Sequence, residues 1–483
     1  MMKRTRVRLF RSILLGSFAI ICSGALSGQT ASQPLLPDAP PSRLIANAPR
    51  NLSTISQVAA QAPETTSGSS APGQPTHLTR IEAEQMAIKN NPRVTVGRLL
   101  ALAQHQVVRE LRSAELPSAT GNITAEDAED GSRISAGSLT ASRLFTHAGA
   151  GATATQLITD FGRTKNLVAS SKLQEKAQNA STLATTEDIV IVTDQAFYNT
   201  LQAQALLKVA EQNVTTRNTT DTQVSAMTKN KLKSTLDLSF ADVNLSQAKL
   251  LLLDAQNNAD STMVALDDVL GLDRQQIYDL DEDNGPLHPP PPNADQLIQL
   301  ALQQRPDLQA LNYSQQAAVK FSHAQHDQML PTITAAGTAG TVPIRPGEQY
   351  YTTNWWGAAG VNMNIPIFNG FLYSAQAKEA TIRAQAASEQ SRGLRDHIVR
   401  DVRTAWLAAN TAFQRVAVTA ELLKEANLAL GLAQTRYQLG LSSIVELSQA
   451  EFQQTDAAIG NTNAQYQYRL ALATLNYQIG ATP

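Results

Sequence analysis

The stretch "IPIFNGF", residues 365–371, separates two parts of the chain that have different periodicities. The residues before it, "WWGAAGVNMN", alternate between two kinds of side chain, as a β-strand with two different faces does. The residues after it are rich in Ala, Gln and Leu and contain no proline until residue 483, which favours long helices. Pro366 has no backbone donor and Gly370 tolerates unusual backbone angles, so we expect a strand to end and a helix to begin here.

A regular spacing of small and apolar residues follows this junction. From Ile398 to Tyr437 they recur at alternating intervals of four and three residues, and many of them are alanine. This is the heptad seam of a coiled coil whose helices approach closely. A helix from near Gly370 to near Gly440 would be about 105 Å long at about 1.5 Å per residue. A weaker copy of the seam runs from Ile189 to Val214. By itself, the seam is also compatible with a long structural coiled coil.

The alternation before the junction predicts which side chains share a face of the strand. Val361, Met363 and Ile365 point to one side, whereas Asn362 and Asn364 point to the other. Apolar-out, polar-in strands with aromatic residues nearby are typical of outer-membrane proteins. The aromatic residues here are Tyr350, Tyr351, Trp355 and Trp356. We therefore predict that the first set faces lipid and that the two asparagines face a lumen.

The chain contains an internal duplication. The segment "AIKNNP" at residue 87 recurs as "ALQQRP" at residue 301. The segment "LDLSFAD" at residue 236 corresponds to "VELSQAE" at residue 445. Between them, "DFG" at residue 160 is matched with "FNG" at residue 368. The first half also offers two strand-like segments, "SATGNITAE" and "GATATQLI", around the acidic loop "DAEDGSR". We predict two structural repeats, 76–272 and 293–481, each with helices and a β-hairpin, joined by a proline-rich linker, 273–292.

The N-terminal region predicts export. Residues 1–28 have a basic start, a short apolar run and small residues, as a secretory signal does. The single cysteine, Cys22, lies inside this segment, and we interpret it as removed rather than acylated. Residues 29–75 are rich in Pro, Ala, Ser and Thr, and we expect a disordered linker.

The predicted strands constrain how the chain could enter a membrane. Four strands per chain cannot close a barrel, because about eight is the usual minimum. An open sheet edge in lipid leaves backbone groups unpaired, so several copies must share one barrel. The predicted fold is therefore a long α-helical coiled-coil tunnel plus a shared transmembrane β-barrel, with four strands from each chain.

Residues 76–480 resemble the TolC-like outer-membrane efflux protein family. The resemblance is carried by "LTRIEAEQMAIKNNP", "LITDFGR", "ALQQRPDL", "LPTI", "IPIFNGF" and "YQLGLSSIVELSQAE". It implies a homotrimer in the outer membrane that extends into the periplasm. Family members are exit ducts that dock through a periplasmic adaptor protein to an inner-membrane transporter, which supplies the energy.

The resemblance also implies roles for particular residues. Glu446 matches an acidic residue of the family's periplasmic gate, Asp237 is its counterpart in the first repeat, and Gln449 stands where the family has a second acid. A solvated helix residue is the ordinary alternative for Glu446. The adaptor-contacting tips are Lys231, Leu232, Ser234, Gly440, Leu441 and Ser442, and the strand–helix junctions are Asp160, Gly162, Pro366 and Gly370.

The expected function is that of an outer-membrane channel subunit of a tripartite efflux pump that exports small molecules. The alternatives are the outer-membrane duct of a type I protein secretion system and, in a different class, a secreted coiled-coil scaffold or adhesin. No motif indicates an enzyme, a cofactor or a metal site. His323 and His326 lack further ligands, and the acidic stretch from Asp279 lacks the glycine and glutamate of a calcium loop. No basic block indicates nucleic acid.

Overall fold

The computed structural model describes residues 76–127, 147–272, 278–281, 285–344 and 355–481. The predictions for the signal segment 1–28, Cys22 and the linker 29–75 lie outside these residues. So do most of the acidic loop of the first half and the aromatic residues Tyr350 and Tyr351.

The order of elements repeats once along the chain. The first repeat contains β1 (Thr76–Leu78), α1 (Arg80–Asn90), α2 (Pro92–Ser113), β2 (Ser118–Glu126), β3 (His147–Thr159), α3 (Arg163–Lys229) and α4 (Thr235–Leu270). The second contains β4 (Tyr278–Leu280), α5 (Ala294–Gln304), α6 (Pro306–Asp327), β5 (Thr332–Ile344), β6 (Trp355–Asn364), α7 (Leu372–Gln438) and α8 (Ile444–Ile479). The four helices have 11, 22, 67 and 36 residues in both repeats. The internal duplication is confirmed.

Prolines divide the first helical segment of each repeat. Thr79 caps α1 in a capping box with Glu82, and α1 ends at Asn90. Pro92 and Pro306 then occupy the first position of α2 and α6, where a missing N–H costs nothing. The two prolines therefore end one helix and begin the next.

The two longest helices, α3 and α7, are each about 100 Å long at about 1.5 Å per residue. On α7 every seam position from Ile398 to Tyr437 is buried or half-buried, while most residues between them after Gln414 are exposed. The seam therefore faces neighbouring helices, as its spacing predicts. The helix α7 packs along α8 and α6, and α3 packs along α4 and α6. Within the described ranges, no helix is long and apolar enough to cross a membrane.

Four strands form one antiparallel sheet in the order β2-β3-β5-β6. Each repeat supplies one hairpin, and the β3–β5 pairing joins the two repeats. β6 ends at Asn364, so Ile365 and Pro366 lie outside the strand. The predicted strand alternation therefore includes Val361 and Met363 but does not extend to Ile365.

A second sheet was not predicted from the sequence. β1 and β4 pair in parallel over three residues each, and β4 lies inside the segment 273–292 that the sequence indicates as a linker. Farther along this segment, the indole of Trp406 donates to the carbonyl oxygen of Pro291 at 2.8 Å. The hydroxyl of Tyr468 donates to the carbonyl oxygen of His288. The proline-rich chain is therefore fixed against α7 and α8.

The strand–helix junctions correct one detail of the repeat alignment. α3 begins at Arg163 and α7 at Leu372, so Phe161-Gly162 corresponds to Gly370-Phe371 rather than "DFG" to "FNG". All four residues have a positive φ, between 56° and 113°. Each junction therefore has two successive left-handed residues, one glycine and one phenylalanine, in opposite orders. At the first junction, Asp160 accepts from the backbone N–H of Gly162 at 3.3 Å and of Thr164 at 2.7 Å.

Candidate functional site

The α3–α4 turn and the α7–α8 turn lie together at one end of the long helices. A small apolar cluster joins them, with buried members from α3, α4, α7 and α8. Its buried members are Val224, Ala241, Ala433, Tyr437, Ile444, Leu447 and Ala450. The predicted gate and tip residues all lie in or beside these two turns.

Glu446 and Asp237 occupy equivalent positions, the third residue of α8 and of α4. Each backbone N–H donates to the serine that caps its helix, Ser443 at 3.3 Å and Ser234 at 3.1 Å. Negative charge is favourable there because the N-terminus of a helix carries a partial positive charge. Both carboxylates therefore have a local structural role, whatever further role the assembly gives them.

The two carboxylates differ in their other partners. Glu446 accepts a hydrogen bond from the guanidinium of Arg436 at 2.9 Å, in an exposed ion pair. Asp237 instead accepts from the backbone N–H of Ser234 at 3.3 Å. Gln449 is exposed on α8 and lies one turn after Glu446. Arg436 was not predicted from the sequence, although it lies on α7 just before the turn glycine.

Tyr437 connects the two turns. Its ring is buried, and the ammonium of Lys233 lies 4.4 Å from the ring centroid. Burial and the negative charge of Asp237 raise the pKa of the Tyr437 hydroxyl. The hydroxyl oxygens of Tyr437 and Ser442 are buried and have no hydrogen-bond partner among the described residues. The α7–α8 turn thus touches the first repeat through an aromatic contact that sequence spacing did not reveal.

A polar layer interrupts the apolar packing a few turns from the tips. Arg217 of α3 forms a buried ion pair with Glu451 of α8, and the hydroxyl of Thr220 donates to the same carboxylate at 2.8 Å. Burial raises the pKa of Glu451, while the charge of Arg217 acts to lower it. The residue equivalent to Arg217 in the second repeat is Ala426, a seam alanine. An arginine at a seam position is a sequence signal that could have identified this layer.

The register of the sheet places polar side chains on one face. Asn364 lies opposite Thr332 and Asn362 opposite Thr334, while Thr153 lies opposite both Thr120 and Thr338. Neighbouring hydroxyls interact along this face, for example Thr153 with Thr338 at 3.2 Å. The other face carries mainly alanine and apolar residues, with Val361 opposite Ala335 and Met363 opposite Ile333. Val361 and Met363 therefore lie on the opposite face of the sheet from Asn362 and Asn364, and Ile365 lies outside the strand.

This architecture, two long helical hairpins attached to an open-edged sheet with one polar and one apolar face, is that of a channel subunit. The family model described as "Outer membrane efflux protein" matches residues 297–481. The outer membrane protein TolC of Escherichia coli strain K12 is 23% identical over 344 residues, which cover 67% of this chain and 69% of that protein. The outer membrane efflux protein BepC of Brucella suis is also 23% identical over 344 residues, covering 71% and 72%.

A solved structure of the outer-membrane channel OprN shares the fold, with a TM-score of 0.72 and 16% identity over 83% of this chain and 90% of that chain. The chain is therefore similar to the TolC-like outer membrane efflux proteins over about two thirds of its length, and its residues 297–481 match the model of that family. It is an outer-membrane channel protein that extends into the periplasm.

Proposed function

We propose that three copies of this chain form the outer-membrane duct of a tripartite efflux pump. The observation that carries this proposal is the sheet. In the described part of the chain, β2 and β6 each have a strand neighbour on one side only. Two open edges in lipid are unfavourable, so each edge pairs with the edge of another copy.

The number of copies follows from the width that a duct requires. Two copies would supply eight strands, and a barrel of about eight strands has an interior just wide enough for side chains. A conducting barrel therefore needs at least three copies, and the family resemblance implies three. In this assembly the face with Asn362 and Asn364 lines the lumen. The face with Val361 and Met363 contacts lipid, and Ile365 lies just beyond it at the membrane boundary.

At the other end, the tips contact a periplasmic adaptor protein, which links the channel to an inner-membrane transporter. The tip residues are Lys231, Leu232, Ser234, Gly440, Leu441 and Ser442. Glu446 and Asp237 form the charged part of the gate, and Gln449 is its uncharged member. Because Arg436 pairs with Glu446, the gate is less negative than a ring of unpaired carboxylates. No catalytic step is assigned to the chain.

Two measurements test this function. Light scattering of the purified protein, corrected for bound detergent, should give the mass of a trimer, and a folded monomer would contradict the assembly. Single channels in planar bilayers should conduct, whereas a secreted coiled-coil scaffold would be water-soluble and would not. A type I secretion duct would conduct equally well. Export of a small toxic dye, compared with export of a protein substrate in cells that depend on this chain, separates these two functions.

A further inference from the structure

The two tips of the chain can be compared residue by residue, because the second repeat follows the first by 209 residues in this region. Their apolar residues match. Leu232 and its equivalent Leu441 are 73% and 67% exposed, and Leu236 and its equivalent Val445 are similarly exposed. Both tips therefore present the same apolar contact to a partner.

The charge of the two tips differs sharply. The first tip carries Lys229, Lys231 and Lys233, and the equivalent residues of the second tip are Gln438, Gly440 and Ser442. Within the described ranges, none of the three lysines forms an ion pair, and the ammonium of Lys233 lies 4.4 Å from the centroid of the Tyr437 ring. The single carboxylate of this tip, Asp237, accepts from the start of α4, whereas Arg436 and Glu446 neutralise each other on the second tip.

The backbone conformation also distinguishes one of these lysines from the other two. Lys231 has a φ of 56°, in the left-handed region, and its equivalent Gly440 has a φ of 74°. Glycine adopts this conformation without steric cost, and a residue with a side chain does not. A lysine in a strained position at an exposed tip therefore supports a functional hypothesis for this side chain.

We propose that the α3–α4 tip docks an acidic partner: a segment of the adaptor that presents carboxylates beside an apolar contact. This inference rests on the proposed function. The leucines supply the contact that both tips share, and the lysines distinguish the first tip from the second through charge complementarity. Because Lys229 and Lys231 are exposed, salt should weaken the preference.

Two synthetic helical hairpins serve as probes, identical except that glutamates or lysines flank a leucine turn. Binding to the detergent-solubilised trimer is measured by biolayer interferometry. At low salt the acidic hairpin should bind about tenfold more tightly than the basic one, and about 0.5 M salt should remove most of this difference.

Two matched variants exchange the tips. The triple variant Lys229→Gln/Lys231→Gly/Lys233→Ser gives the first tip the residues of the second and relieves the backbone strain at residue 231. It should lose the preference for the acidic hairpin. The reverse variant Gln438→Lys/Gly440→Lys/Ser442→Lys should gain acidic-hairpin sites and about double the stoichiometry.

Equal affinity for the two hairpins, no binding of either, or a preference that survives the tip exchange would overturn the proposal. Lysine-dependent binding to phosphatidylglycerol vesicles without hairpin binding would also overturn it, in favour of a lipid surface. Conductance of the wild-type chain in planar bilayers needs no partner. A trimer that conducts but shows no charge preference therefore rejects this inference and leaves the channel function standing.

Discussion

The buried ion pair between Arg217 and Glu451 allows the sharpest test of the packing between the two repeats. Removing one member, as in Arg217→Met, leaves a buried carboxylate whose remaining described partner is the hydroxyl of Thr220. Breaking a buried pair in this way typically costs about 3–5 kcal/mol. The double variant Arg217→Met/Glu451→Leu removes both charges, and replacement of a whole buried pair by apolar residues of similar volume is close to neutral.

The assay is thermal unfolding of the trimer in detergent, followed by the helical circular dichroism signal. The single variant should melt well below the wild type, and the double variant should recover most of the loss. Burial already raises the pKa of Glu451. Without Arg217 its pKa should rise further, so the carboxyl group can be neutral at mildly acidic pH. The loss of melting temperature in Arg217→Met should therefore be larger at pH 8 than at pH 5, because burial is costly only for the charged form of the Glu451 carboxyl group.

An exposed pair on α7 provides the matched control. Arg392 and Glu389 lie 3.0 Å apart at the surface, and Arg392→Met should cost less than about 1 kcal/mol. If the single and double variants at Arg217 melted together, or if neither differed from the Arg392 control, the ion pair would not hold α3 to α8.

Three further predictions concern the sheet, the gate and the short helices. Val361→Arg should reduce the amount of assembled trimer more than Asn362→Arg does, because a cation at the lipid midplane costs roughly 2–4 kcal/mol while a lumen site tolerates charge. Equal amounts of the two variant trimers on a detergent gel would contradict the assignment of Val361 to lipid and Asn362 to the lumen. Glu446→Gln leaves the positive charge of Arg436 unpaired, so the preference of the channel for cations in planar bilayers should fall, and Asp237→Asn should act in the same direction. If both variants kept the wild-type selectivity with the trimer intact, these residues would have only their helix-capping role. Burial raises the pKa of Glu84 to about 7, above the ordinary value of 4.5. The contribution of Glu84 to the free energy of unfolding should therefore be complete below about pH 4.5 and lost as the pH rises towards 7. If the melting temperature of the wild type fell no more steeply across this pH range than that of Glu84→Gln, the assignment would be refuted.

Local periodicity explains why much of the fold could be predicted from the sequence. The four-three spacing from Ile398 to Tyr437 determines which side of α7 is buried, because small and apolar residues recur on one face of the helix. The alternation of Val361 and Asn362 likewise predicts the two faces of β6. Pro92, with no N–H to donate, predicts the break between α1 and α2.

The features that the sequence did not reveal depend on partners far apart in the chain. The β1–β4 pairing joins two segments of three residues, which are too short to show a period. Arg217 and Glu451 are 234 residues apart, and nothing local to either one indicates the other. At the strand–helix junctions, matching the glycines misplaced the alignment by one residue. The backbone needs two left-handed residues there, and the order of glycine and phenylalanine is free.

The open edges of the four-stranded sheet have a consequence for how the protein reaches its membrane. A single chain that has folded but not yet met its partners exposes two unpaired strand edges to water, which is the usual template for aggregation. The edge strand β2, "SATGNITAE", consists mainly of small and polar residues, and Ile123 is its one bulky apolar side chain. An edge of this composition buries little apolar surface when it pairs in water, so we expect the chains to pair mainly once they meet in lipid.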